Sequence, residues 1–205
     1  MDKAIALLSG GIDSPVAIHL MHDRVDIIAI HFHQLPLTDK KEVDKVRELV
    51  KILKVQKTYL VPFASVLKHI VEKCQHRNYY IISKILMFRT AALLAQEGQA
   101  QFLLTGENLA QVSSQTLSNL TTITKNVPME ILRPVLTYNK QEIIDLARKI
   151  GTYEISKGPE ICSLLGPPDP ATRSDQAKIA RELENVDFSL LSESLKKAEI
   201  VTLTP

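Results

Sequence analysis

Short apolar, β-branched runs recur along the chain at 4–8, 26–31, 58–61, 102–105 and 130–132, and stretches of helical length separate them. Runs of this kind mark buried strands, and their alternation with helix-length segments predicts an α/β fold. Between Lys40 and Lys54, residues Val43, Val46, Leu49, Val50 and Leu53 repeat at helical spacing while lysines and acids take the other side. An amphipathic helix is expected there, with its basic face in solvent. Tyr80 to Ala95 is apolar on most sides, apart from Lys84 and Arg89, as suits a helix packed on a sheet. Asn139 and Glu142 form a capping-box pattern, Ile143, Ile144, Ala147 and Ile150 supply the stripe, and Gly151 supplies the stop. Periodicity is lost from Thr152 to Thr172, where Gly158, Pro159, Gly166, Pro167, Pro168 and Pro170 accumulate, so a long loop is expected. Long loops in compact domains are often functional. After Asp175 the pattern predicts one or two helices and a strand-like end at Ile200 to Leu203. The expected organisation is a main domain over 1–175 and a helical appendage of the same domain over 176–205.

Composition adds limits. The 205 residues suffice for one domain with a sizeable core. No apolar run approaches the roughly 20 residues of a membrane span, and the N-terminus lacks a secretory pattern, which together predict a cytoplasmic protein. The net charge of +2, from 25 basic and 23 acidic side chains, is too balanced for tight nucleic-acid binding by counterion release alone. The two cysteines, Cys74 and Cys162, form no disulfide framework.

The first strand runs straight into Ser9-Gly10-Gly11-Ile12-Asp13-Ser14, and the pattern of Val16, Ala17 and Leu20 after it is helical, with Pro15 suited to a first turn. Paired glycines let backbone N–H groups point inward, Ser9 and Ser14 add hydroxyl donors, and a helix N-terminus favours anions. This is a phosphate cradle. It lacks the spacing and the lysine of the Walker A loop. Asp13 would repel a phosphate unless it holds Mg²⁺ or orders the loop.

Strand, SGGxDS and helix resemble the PP-loop enzymes, which transfer AMP to a substrate oxygen and release pyrophosphate. SGGIDSPVA at 9–17, TGENLAQVSSQTLSNL at 105–120, RPVLTYNKQEIIDLARKIGT at 133–152 and PEIC at 159–162 are similar to the tRNA 4-thiouridine synthetase (tRNA sulfurtransferase) family. The similarity covers residues 3 to 190. It implies a Rossmann-like, parallel-sheet PP-loop sandwich of three layers, of the adenine nucleotide alpha hydrolase-like type. It also implies ATP as cofactor with Mg²⁺, and thiolation of a tRNA uridine to 4-thiouridine. Leu7, Leu8, His31, Phe32, Lys84, Gly106 and Gln115 would surround ATP with the loop residues Ser9, Gly10, Gly11 and Ser14. Asp13, Lys140 and Cys162 would be catalytic, the lysine in adenylate formation and the cysteine in sulfur transfer.

Other readings stand beside these. Leu7, Leu8 and Phe32 also suit a core that lends only its backbone. Lys84 could reach past its apolar helix to solvent, and Lys140 could be a wet lysine, although a cation at a helix start is electrostatically unfavourable without compensation. His31 and His33 lack the further ligands of a metal site, so no resident metal is expected. Cys162 sits in a loop where an exposed thiolate would be nucleophilic. Cys74 lies beside Lys73, His76 and Arg77, a basic setting that would lower its pKa.

Against the family pattern, Met1 lies three residues from the first strand, and the THUMP-containing RNA-binding region of the family is expected to be missing. The resemblance then implies tRNA binding through a separate THUMP-domain polypeptide or through a homodimer, or that the sequence is a piece of a longer protein. No rhodanese-like domain is expected either, which implies a cysteine desulfurase or another sulfur donor, and no Cys-x-x-Cys surrounds Cys162 for an iron–sulfur cluster. Two alternatives are a sulfur carrier protein of thiamine thiazole synthesis as the acceptor, and an ATP-binding subunit without catalysis. A thiol in the loop has no purpose in the latter.

Overall fold

The computed structural model describes residues 1–109, 111–158 and 164–203. Strands β1 (Lys3–Leu7), β2 (Asp26–His33), β3 (Lys57–Pro62), β4 (Phe102–Leu104), β5 (Glu130–Leu132) and β6 (Glu199–Thr202) form one sheet in the order β5-β4-β1-β2-β3-β6. All neighbours are parallel except β6, which runs antiparallel to β3. The chain winds outward from β1 to β3 and then returns to place β4 on the other side of β1. That reversal opens a crevice at the C-terminal ends of β1 and β4, where ligands bind in open α/β sheets.

Strand alternation sorts the core into two layers. On one face Ile5, Ile30, Phe32, Val61 and Leu103 pack under α3 (Ala64–Lys73), α4 (Tyr79–Gly98), α8 (Gln176–Leu183) and α9 (Ser189–Lys196). On the other, Ala4, Ala6, Leu8, Ala29 and Leu104 meet α1 (Asp13–Met21) and α2 (Lys41–Leu53) through Ile18, Val43, Val46, Val50 and Leu53. Three alanines on this second face let those helices lie close to the strands. Each fully buried Leu or Ile contributes roughly 1.5–3 kcal/mol, so these two layers dominate the fold's stability. Helix α4 is buried nearly all round because it lies between β1 and the helices α3, α5 (Leu117–Lys125) and α9.

A third cluster fixes the site. Val16 and Ala17 of α1 pack on Val135, Ile143 and Ala147, which holds α6 (Lys140–Lys149) against α1. The capping box is present: Asn139 Oδ1 accepts from Glu142 N–H at 3.0 Å, and Glu142 Oε2 accepts from Asn139 N–H at 2.7 Å. Among the described residues of 152–172 there is one short turn of helix, α7 (Tyr153–Ser156). The C-terminal segment, expected as a helical appendage, also completes the sheet. Its strand β6 pairs with β3, and Arg47 of α2 grips both carboxylate oxygens of Glu199 at 2.6 and 2.7 Å.

Candidate active site

A cavity of about 1030 Å³ lies at the crevice between β1 and β4. Its lining includes Leu7, Leu8, Ser9, Gly10, Gly11, Asp13 and Ser14 from the β1–α1 connection, and His31 and Phe32 from β2. Lys84 of α4, Gly106 and Gln115 after β4, and Lys140 of α6 complete the residues expected there. Cys162 lies outside the described residues, as do its neighbours 159–163.

The β1–α1 loop is held by its own hydroxyls. Ser9 N–H donates to Ser14 Oγ at 2.9 Å, the two hydroxyl oxygens are 3.1 Å apart, and Gly11 N–H donates to Ser9 Oγ at 3.2 Å. Gly106 has a backbone role: a Cβ there would stand 2.5 Å from the Ser14 nitrogen and 2.6 Å from Asp13 C. Only glycine lets the β4 loop press against the start of α1.

The hydrophobic residues divide as strand geometry requires. Leu7 packs toward α4 and Leu8 toward α2, so both meet the cavity from the sheet. The Phe32 ring belongs to the core, 4.7 Å from the Phe63 ring. His31 is buried and pairs its Nδ1 with the Leu8 carbonyl oxygen at 2.9 Å. A carbonyl can only accept, so Nδ1 carries the proton and Nε2 is an acceptor. Burial pushes the His31 pKa down to about 4, against the opposing effect of the Leu8 bond, so the ring is neutral. His31 Nε2, Gln111 Nε2 and Gln115 Oε1 are buried without a hydrogen-bond partner among the described residues, and all three side chains line the cavity. Buried polar atoms demand partners, and these fit a polar, hydrogen-bonding ligand.

Two charged arrangements border the cavity. Glu107 is 3% exposed and joins two cations, taking Lys84 Nζ on Oε1 at 2.7 Å and Arg133 Nε on Oε2 at 2.8 Å. Burial alone would raise its pKa, but the Lys84 and Arg133 charges and their hydrogen bonds outweigh that and hold the carboxyl below its ordinary value. Sequence reasoning passed over Glu107, although it is the acid directly after Gly106. The second pair is Lys140 Nζ to Asp13 Oδ1 at 3.0 Å, with Gln111 Oε1 at 3.4 Å. Asp13 opens α1 and Lys140 opens α6, so the carboxylate suits its helix start and offsets the cation's poor placement.

Several polar side chains act as struts. Asn108 Nδ2 donates to the Val135 and Tyr138 carbonyls at 2.7 and 2.6 Å, which ties the β4 loop to the turn before α6. Asn119, fully buried, donates to Ser113 O and Ala171 O and accepts from Ser174 N–H. The 105–120 block thus anchors the chain that returns after the long loop.

Two expectations are corrected. The Cys74 thiol is pushed up to about 11 by partial burial and then by the Glu182 carboxylate, so the nearby cations leave it protonated and unreactive. The basic face of α2 is not wholly solvated, because the half-buried Lys45 lies over Gly10 and lines the cavity. Among the described residues no group of three or more His, Cys, Asp or Glu could hold a metal, and no helix is long and apolar enough to cross a membrane.

Comparison with known proteins gives the geometry a family. The chain is 37% identical over 211 residues to a probable tRNA sulfurtransferase of Moorella thermoacetica, covering 99% of this chain and 54% of the relative. It superposes with a TM-score of 0.93 and 33% identity on a 4-thiouridine synthetase solved in complex with RNA and bound ATP, covering 99% of this chain and 55% of that one. The NH3-dependent NAD synthetase of Campylobacter jejuni shares the fold alone, at TM-score 0.58 and 12% identity over 96% of this chain and 84% of the synthetase. The sheet is therefore the mostly parallel PP-loop α/β type. The chain spans about half the length of the curated relatives it matches. The profile of the family described as "Thiamine biosynthesis protein (ThiI)" matches residues 1–188, and the chain belongs to that family.

Proposed function

We propose that this chain carries the ATP-dependent chemistry of tRNA thiolation: transfer of AMP to a tRNA uridine oxygen with release of pyrophosphate, then displacement of AMP by sulfur to give 4-thiouridine. The observation that carries this reading is the single cavity that gathers the glycine loop, the Asp13–Lys140 pair and Lys84. ATP supplies the leaving group that a uridine oxygen lacks. Ser9, Gly10, Gly11 and Ser14 would hold its phosphates, and Leu7, Leu8, His31, Phe32, Gly106 and Gln115 its remaining contacts. Lys84 and Lys140 would offset the charge that develops on the phosphates. The Asp13 oxygen not held by Lys140 is available to Mg²⁺, which is commonly bound by one or two carboxylates together with substrate phosphates. Cys162 would act in sulfur transfer. A THUMP-domain polypeptide or a second copy of the chain would present the tRNA, and a cysteine desulfurase or similar donor would supply sulfur, in the cytoplasm.

The description of the family supports a second acceptor for the same activation, a sulfur carrier protein in thiamine thiazole synthesis. The deciding experiment is mass spectrometry of nucleosides from unmodified tRNA incubated with the protein, ATP, Mg²⁺ and sulfide. The expected result is 4-thiouridine with wild type and none with Asp13→Ala; Cys162→Ser reports whether the thiol is needed once sulfide bypasses the donor. No product even with an added THUMP-domain partner would overturn the tRNA reading.

A further inference from the structure

Five lysines line the cavity: Lys41, Lys45, Lys84, Lys140 and Lys157. Four of them have a carboxylate partner. Lys41 lies 3.7 Å from Asp39, Lys84 holds Glu107, Lys140 holds Asp13, and Lys157 holds Glu154. Lys45 is the exception, with no carboxylate in ion-pair range among the described residues. It lies on α2, one turn after Lys41, and Glu42 of that helix also borders the cavity.

The stem of Lys45 shows where it is placed. A Cβ on Gly10 would come 3.0 Å from Lys45 Cδ, 3.9 Å from Cγ and 4.0 Å from Cε. The methylenes therefore lie over the first glycine of the Ser9–Ser14 loop, and the missing Gly10 side chain makes room for them. Lysine keeps its charged end in polar surroundings while its stem covers apolar or backbone surface. In a Walker A loop the phosphate-binding lysine is part of the loop itself. The loop here has none, and α2 brings a lysine to it from a distant part of the chain.

We propose that Lys45 is the phosphate-binding lysine of this site, its ammonium group contacting the phosphates cradled by the Ser9–Ser14 loop. The proposal rests on the reading of this cavity as a nucleotide site. An ammonium ion is a compact point charge suited to phosphate, and among the described residues Lys45 has no ion pair to break on binding. Lys84 and Lys140, by contrast, must share their charge with Glu107 and Asp13.

The test is calorimetric titration of ATP and of adenosine into wild type, Lys45→Met and Lys45→Arg. Methionine keeps a stem of similar length over Gly10 and removes only the charge. The expected result is ATP affinity about tenfold weaker in Lys45→Met, with adenosine affinity within about twofold of wild type and most ATP affinity kept by Lys45→Arg. ATP binding unchanged in Lys45→Met, or ATP and adenosine weakened alike, would overturn the proposal while the nucleotide reading stands. Wild-type protein that binds no ATP would overturn that reading and the proposal with it.

Discussion

Glu107 and Asp13 are both carboxylates bound to lysine beside one cavity, yet their surroundings differ sharply. Glu107 is 3% exposed, with Lys84 and Arg133 at 24% and 12%. Asp13 and Lys140 are 21% and 52% exposed. A buried charge whose partners are removed is costly, whereas a wet ion pair is worth little and exchanges partners readily. The Glu107 node is thus a fixed strut that aims Lys84, and the Asp13–Lys140 pair is a contact that a charged ligand can open. Similar pairs of residue types do different work because water reaches the Asp13 carboxylate and not that of Glu107.

The largest effect on stability is expected at the strut. Glu107→Ala leaves Lys84 and Arg133 facing each other without the carboxylate, and should lower unfolding free energy by about 3–5 kcal/mol in urea denaturation. A loss below about 1 kcal/mol would place Glu107 with the wet pairs and erase the contrast. Its pH dependence sharpens the point. The folded carboxyl titrates below its ordinary value, so its stabilisation is complete above about pH 4.3 and is lost as pH falls through the lower folded value. Glu107→Gln should remove that acid-sensitive component, leaving a flatter stability profile below pH ~4.3 than wild type shows.

Next in size is His31, a neutral buried group on the same cavity. Its folded pKa of about 4 lies below the ordinary 6.5. Between those values the unfolded chain binds a proton that the folded ring refuses, so stability is full above pH 6.5 and falls as pH drops toward 4. The accumulated loss is about 3 kcal/mol by the lower limit. His31→Gln should flatten denaturation midpoints across that window, and a variant that kept the wild-type slope would assign it to other groups.

The glycine loop was legible because its meaning is local: strand, turn and helix start are consecutive, apolar β-branched runs marked β1 and β2, and the 3.6-residue period marked α2 and α6. Residues 9–14 needed no other part of the chain to be read as an anion cradle. Glu107 was not legible in the same way, since its partners Lys84 and Arg133 lie 23 and 26 residues away, and only the packing of α4 beside β4 and the pairing of β4 with β5 unite them. Lys45 was read as solvent-facing for a related reason. Helical periodicity identifies a polar face, but not which polar residue ends over Gly10. The role of β6 as a sheet edge was hidden too, because the antiparallel partner of residues 199–202 is β3, more than half the chain earlier. Helices α3 and α5 also lay in segments whose pattern did not single them out. Apart from α3 and α5, the signals that failed are long-range, and those that succeeded lie within a single element or turn.

The smallest effect on stability, and the clearest division of labour, is expected at Lys140. Its side chain is half exposed, so Lys140→Ala should change unfolding free energy by no more than about 1 kcal/mol. Helix α6 keeps its capping box, because Asn139 and Glu142 bond through their own side chains and backbones. The variant also removes a cation from a helix N-terminus, which by itself is favourable by a few tenths of a kcal/mol or more. Pyrophosphate release should nevertheless fall by about 10²–10³-fold, the usual consequence of deleting one group that offsets transition-state charge. Measured together on one preparation, an intact denaturation midpoint and a collapsed rate would separate this pair from the Glu107 strut. A variant that instead lost stability and rate in proportion would show that the wet pair also holds α1 to α6, a task that the packing of Val16 and Ala17 on Ile143 and Ala147 already performs.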